Sequence, residues 1–278
     1  FGGYNRYSWG SSIWRRVVRV PVSMRAMAAY ALTVLSPEQW DRIGRMLKMG
    51  LPASLHLSTL GEKVHKLAAV LDSNSQTELY RRLVSLQRET ASLVIGSHEE
   101  PIWADDQARQ VAKQDFSEQM MFHDLVGYLT DDILPKLDRA AMAISLETRM
   151  PLLDHRVVEF AWSLPLSMKI RTESQGKWLL RQVLYRYVPK HLVERPKMGF
   201  GIPLDSWLRG SLRDWAEALL DESRLRHEGY FDPAPIRKKW QEHLSGRRNW
   251  QYWLWNVLMF QAWSSAHGRS SAPSVSHH

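Results

Sequence analysis

Cysteine is absent from the 278 residues. That excludes disulfides, thiolate metal sites, iron–sulfur clusters and any cysteine nucleophile. No uncharged apolar run reaches the length of a transmembrane helix. No basic, apolar and small-residue zones of a signal peptide stand near Phe1, and with the missing cysteines this reads as a cytoplasmic chain. No nucleophile elbow is present. His123, His155 and His191 are scattered without ligand-like partners at i+4, which predicts no metal site made by protein ligands alone. Internal repeats and alternating strand runs are missing too. Acid is the scarcer charge, 29 Asp and Glu against 37 Lys and Arg, a net charge of +8. A basic balance suits anionic partners such as nucleic acid, anionic lipid or phosphate-bearing small molecules, or else is a solvated surface.

What is present is ordinary globular composition, 44% hydrophobic and 24% charged, which argues against a disordered chain. The length suits about two domains or one large one. The chain opens at Phe1-Gly2-Gly3-Tyr4 without a Met, and a sequence that starts inside a glycine motif reads as cut from something longer. The periodic patterns are helical almost throughout. Ser36 caps a helix from Pro37 to Met49, with Trp40, Ile43 and Leu47 on its apolar side. Leu60–Leu71 and Thr77–Leu86 are two more helices, joined by the turn Asp72-Ser73-Asn74-Ser75. Residues 103–127 are helical and more polar.

Trp250, Trp253, Leu254, Val257 and Leu258 fall at i, i+3, i+4, i+7 and i+8, a core stripe. Trp255, Met259 and Trp263 make the opposite side apolar, so this helix is expected to be buried on much of its circumference. Arg237-Lys238-Lys239 and Arg247-Arg248 interleave with these aromatics, which would also suit a nucleic-acid surface. The periodicity favours packing. Residues 267–278 are low in complexity and read as a disordered tail.

Residues 128–181 carry the most information. Thr130 is expected as an N-cap before Asp131 and Asp132. Ile133, Leu137, Ala140 and Ile144 form the apolar face, and Pro135 strains or re-nucleates the helix. Pro151 makes Met150 extended, so residues 146–154 link two helices. Asp154 caps the next, with Val157, Phe160, Ala161 and Leu164 on one face. Glu147 and Arg149 alternate in the extended linker and point the same way. They either brace two helices or present Arg149 to an anion held in place by Glu147.

Ser174 is expected to cap a helix whose apolar face is Leu180, Val183, Leu184 and Tyr187. Lys177 would then stand at N3, opposed by the helix dipole by about 0.3–1 kcal/mol unless an anion is near. Arg181 follows one turn later. The two cations make an anion site or simply extend along the surface. Arg195-Pro196-Lys197-Met198-Gly199-Phe200-Gly201 is a basic loop whose glycines allow close backbone approach to a ligand, or it is a solvated turn.

Phe1-Gly2-Gly3-Tyr4, the stretch Tyr128–Pro165, Gly176-Lys177-Trp178-Leu179-Leu180-Arg181 and Arg195–Pro203 together resemble the synthetase domain of glutamine-dependent asparagine synthetases. The resemblance runs from residue 1 to about Trp263 and is loose across 20–110. It implies a mainly α fold over residues 1–266. This would be the helical C-terminal portion of an α/β PP-loop ATP pyrophosphatase domain, with most of the parallel sheet upstream. It implies an ATP-dependent ligase that adenylates the aspartate side-chain carboxylate and releases pyrophosphate. Ammonia from an upstream glutaminase domain then displaces AMP to give asparagine. The resemblance gives Lys177, Glu147 and Arg149 catalytic places, and Arg181, Arg195 and Lys197 substrate- or phosphate-binding ones. Lys177 would stabilise negative charge in the transition state. ATP and Mg2+ would be bound mainly by upstream residues. No nucleic-acid or membrane partner is implied, and a homodimer is compatible.

Three family elements are missing: the Ser-Gly-Gly-x-Asp-Ser pyrophosphate loop, the Gly-Asp-Gly-Gly-Asp-Glu run before Phe-Gly-Gly-Tyr, and the glutaminase cysteine. The chain is therefore expected to be inactive by itself and to supply one wall of an active site. Two other readings stand beside this one. The first is a family amidotransferase for another carboxylate, such as a sugar acid or the precursor of a β-lactam. The second is a basic helical nucleic-acid-binding module.

Overall fold

A computed structural model describes residues 1–47, 60–85, 92–97, 115–172, 175–194 and 201–267. Helices come in the order α1 (Asn5–Val17), α2 (Val22–Val34), α3 (Pro37–Leu47), α4 (Leu60–Leu71), α5 (Gln76–Val84) and α6 (Phe116–His123). A π-helical segment, Asp124–Ile133, leads into α7 (Leu134–Met142). A 3-10 turn, Pro151–Leu153, precedes α8 (His155–Ser163), α9 (Leu166–Lys169), α10 (Trp178–Leu184) and α11 (Lys190–Val193). The last five are α12 (Leu204–Arg209), α13 (Arg213–Leu219), α14 (Glu222–Glu228), α15 (Pro233–Leu244) and α16 (Gln251–Ala266). Among the described residues strand pairing is limited to the isolated bridges Val94–Phe231 and Ile170–Gly176. The architecture is mainly α, as expected.

Local chemistry explains the helix starts. Ser36 Oγ accepts from Gln39 N–H at 3.2 Å, and Gln39 Oε1 accepts from Ser36 N–H at 2.7 Å. This reciprocal box satisfies two donors that α3 cannot. Ser75 and Glu78 start α5 in a related way, with Glu78 N–H donating to Ser75 Oγ at 3.0 Å. Asp115, Asp154, Asp221 and Asp232 cap α6, α8, α14 and α15 through their carboxylates. Residues 103–114, Lys48, Met49 and Leu86, all expected to be helical, lie outside the described residues.

The chain divides into two compact units. The first comprises residues 1–26, 70–84 and 101–198; the second comprises 27–69, 85–100 and 199–278. In the first, α1 packs on α5 and α6 through Tyr7, Ile13, Leu79, Tyr80, Phe116 and Met120, all buried. Gly10 permits the approach, since a Cβ there would meet Met120 Sδ at 3.1 Å. Ser117 Oγ donates to Tyr7 O at 3.0 Å across the same contact.

Residues 116–142 form one continuous helical stretch, so Thr130 is not an N-cap. Its hydroxyl donates back to Val126 O at 2.9 Å, and the helix passes through it. The widened turns come just before Pro135, which has no N–H and whose ring would collide with the carbonyl four residues back in an α-helix. Leu134 N–H donates instead to Leu129 O, five residues back, and α7 begins again beyond.

Several expected core faces of this unit are exposed: Leu137 and Ile144 after the π segment, Phe160 on α8, and Val183, Leu184 and Tyr187 on and after α10. Periodicity correctly marks them as apolar faces, yet no described element of the unit covers them.

The second unit is built around α16. Trp253, Leu254, Val257 and Leu258 are buried against Leu204, Leu208, Leu219, Leu220, Ile236 and Trp240. Each such side chain contributes about 1.5–3 kcal/mol. Trp240 Nε1–H donates to Glu217, which also receives Arg237 Nη2 at 2.6 Å. His243 is fully buried, and its Nδ1 accepts Trp250 N–H at 3.2 Å. Burial, and then Arg209, lower its pKa against the pull of Asp205, which suits this acceptor role. The interleaved cations turn inward on the aromatics: Arg248 lies 4.0 Å over Trp250, and Lys239 lies 4.6 Å over Trp253. The reverse side of α16 is less buried than expected, because Met259 and Trp263 are exposed.

Candidate active site

The glycine pair Gly2-Gly3 meets Gly176 in the first unit. Gly2 has φ +65°, and a Cβ on it would stand 2.5 Å from Ile170 Cγ1. A Cβ on Gly176 would stand 2.2 Å from Gly2 O, so only glycine allows that backbone crossing. The chain around it is a tight antiparallel turn: Arg171 N–H donates to Gln175 O at 3.0 Å, and Ile170 bridges Gly176. Lys177 N–H then donates to Phe1 O at 3.0 Å.

The expected start of this helix needs correction. α10 begins at Trp178, so Lys177 occupies the N-cap position and not N3, and Ser174 lies outside the described residues. Lys177 has φ +57°, in the left-handed region, at a cost of about 1–2 kcal/mol for a side chain with a Cβ. The bond to Phe1 and the Gly2–Gly176 crossing hold it there. Such strain persists where the surroundings over-determine the backbone. The result aims the side chain along Gly3, where a Cβ would stand 2.6 Å from Lys177 Cε.

That side chain, though exposed, borders a cavity of about 380 Å³. Tyr4, Tyr7, Asp124, Tyr128 and Lys169 also line it, above an apolar floor that includes Leu129, Ile133, Leu153 and Trp162. Asp124, the first residue of the π segment, is buried. Its Oδ2 accepts from Arg6 Nε and Nη2 at 2.9 and 2.7 Å and from the Tyr7 hydroxyl, and its Oδ1 accepts from Tyr80 at 2.7 Å. Burial, reinforced by the Asp124 charge, pushes both tyrosines well above the usual phenol range, so they stay protonated donors. Arg6 lies between the rings of Tyr4 and Tyr128, 4.4 and 4.8 Å from their centroids. Burial alone would lower its pKa, but Asp124 outweighs that and the net shift is upward.

The charges around the cavity therefore pair off. Asp124 is matched by Arg6, and fully buried Lys169 by Glu118 at 3.2 Å. Among the described residues no acid pairs with Lys177. Among the described residues Lys177 is thus a lining side-chain cation without an acidic partner, which suits an anion.

The remaining expected site residues are elsewhere. Glu147 and Arg149 do point the same way and form an ion pair with each other, 67% and 84% exposed. Arg149 lines a second cavity with Asp138 and Arg139, and only Leu153 is shared with the first. Arg181 does not line the Lys177 cavity. Its Nε donates to Gly176 O at 3.1 Å and its Nη1 to Glu194, which clamps the turn that carries Lys177. Tyr185 and Glu194 raise its pKa. Arg195 and Lys197 lie outside the described residues.

Lys169, Asp124 and Arg6 escaped the sequence reading. A signal existed for two of them: Lys169 is the lone charge of Leu164–Ile170, and Asp124 is the lone acid of Met120–Leu129.

The asparagine synthase family profile matches residues 1–265. The chain belongs to the asparagine synthase family. A Mycobacterium tuberculosis protein named "Putative asparagine synthetase (glutamine-hydrolyzing)" is 40% identical over 146 residues, 52% of this chain and 22% of that protein. Asparagine synthetase (glutamine-hydrolyzing) 1 of Bacillus subtilis is 30% identical over 165 residues, 56% of this chain and 26% of the relative. The Bos taurus asparagine synthetase is 31% identical over 144 residues, 44% and 25%. The aligned part thus spans about a quarter of the curated relatives it matches. No solved structure matches. The asparagine synthase family uses ATP. Among the described residues no group of three or more acids or histidines could hold a metal, and no single helix is long and apolar enough to cross a membrane.

Proposed function

We propose that the chain supplies the helical wall of the synthetase site in a glutamine-dependent asparagine synthetase. In the whole protein, the aspartate side-chain carboxylate attacks the α-phosphorus of ATP and pyrophosphate leaves. Ammonia released from glutamine then attacks the acyl carbon, AMP leaves, and asparagine is formed. The observation that carries this reading is Lys177. Its strained backbone and its packing on Gly3 fix an uncompensated ammonium at the cavity. A preorganised cation at such a wall stabilises charge that develops on a phosphoryl group, commonly the largest single term in catalysis. Arg181 positions the turn through Gly176 O. Arg149 acts from the neighbouring cavity as the group available to an anion, held by its ion pair with Glu147. Mg2+ would accompany the nucleotide and be bound mainly by residues upstream of Phe1.

Lys177→Ala in the full-length protein tests this. Asparagine synthesis is expected to fall by at least about 100-fold, the scale of one lost electrostatic stabiliser, while glutamine hydrolysis is kept. Unchanged synthesis would overturn the role. Pyrophosphate release measured with aspartate, a sugar acid and a β-lactam precursor identifies the acceptor, and release with aspartate alone is the expected result.

A further inference from the structure

A lysine is almost never fully buried without a strong reason. Lys169 is 0% exposed and meets one carboxylate, Glu118, at 3.2 Å and the face of Trp162 at 5.1 Å. An ion pair in such a place is weak evidence for stability, because apolar side chains of similar volume commonly do as well or better. Its position suggests another use. Lys169 ends α9 immediately before Ile170, the residue that crosses Gly2, and its own carbonyl is 3.6 Å from where a Gly2 Cβ would stand. Lys177 rests on the next residue, Gly3. Both lysines therefore lie against the same glycine pair and border the same cavity.

We infer that Lys169 is a positioning cation for the anion bound at Lys177. It borders the cavity while shielded from solvent, and its field holds a phosphate-class ligand against Lys177. Glu118 holds it in place when the cavity is empty, and also attenuates that field. Because Lys169 is buried, salt screens this contribution less than it would a surface lysine. The inference rests on reading the cavity as an anion site.

Inorganic pyrophosphate, titrated calorimetrically into the full-length protein, tests it. Lys169→Met is expected to weaken binding by roughly three- to ten-fold, the effect of removing one charge that borders the cavity. Glu118→Gln, which keeps an acceptor in place, is expected to tighten binding by roughly two- to five-fold. A purely structural ion pair would lower the melting temperature in both variants and would not move affinity in opposite directions. The double variant keeps the fold in reach if Lys169→Met alone leaves Glu118 stranded, and its affinity should fall between the two. Lys177→Met separates the two claims. If it weakens binding while Lys169→Met does not, or Glu118→Gln fails to tighten it, the role of Lys169 is overturned and the anion site stands. If Lys177→Met changes nothing, the site itself is overturned.

Discussion

The two units spend their buried volume differently. In the second, the centre is mostly apolar, with neutral His243 and Gln261 as its fully buried polar side chains: Leu254, Leu258, Ile236 and Trp240 are fully buried, and cations stack on tryptophans at its surface. In the first, the residues around the cavity include a buried aspartate, a buried lysine and the partners that neutralise them, while Ile144, Phe160 and Tyr187 stay exposed. The contrast separates the apolar packing of one unit from the buried charge beside the proposed site of the other. Apolar packing stabilises without conditions, whereas buried charge is retained where a field or a hydrogen-bond pattern is needed.

The largest expected effect lies in the apolar unit. Trp240→Ala removes a fully buried indole and strands part of the Glu217 hydrogen-bonding pattern. It should cost about 3–5 kcal/mol, read from urea unfolding. Amide exchange along α16 should accelerate in parallel. A loss below about 1 kcal/mol would mean that packing does not dominate this unit.

In the polar unit the corresponding change is smaller. Asp124→Asn preserves shape but leaves Arg6 without its counter-charge, and turns an amide donor toward Arg6, Tyr7 or Tyr80. Because Arg6 retains some access to water, the expected cost is about 2–3 kcal/mol by the same measurement. A neutral result would show that the hydroxyls, and not the charge, organise the start of the π segment.

How much of this was legible in the sequence follows the range of the interactions. Ser36 and Asp154 announce helix starts because a cap is a contact between near neighbours. The α16 stripe is legible because helical periodicity states which residues share a face. Asp124 was missed because its partners Arg6 and Tyr7 are 118 and 117 positions away. The conformation of Lys177 was missed for the same reason: Phe1 and Gly2 impose it across the fold. Thr130 misled because an N-cap residue and a hydroxyl bonded back within a helix look alike in sequence. The resemblance to asparagine synthetases picks out Lys177, whereas Asp124 and Lys169 join it only through contacts made across the fold.

The smallest expected effect sharpens the contrast most. Glu147 and Arg149 are paired but largely exposed, and such pairs add little to stability because solvent screens them and ordering two long side chains costs entropy. Arg149→Gln should therefore move the melting temperature by less than about 2 °C. Activity is the separate readout. Since the fold has almost nothing to lose at this position, a large drop in asparagine synthesis by Arg149→Gln in the full-length protein would be chemical in origin. It would place the second cavity in the reaction alongside the first. Retention of both stability and synthesis would reduce the pair to a local brace and leave Lys177 and the charges behind it as the working wall.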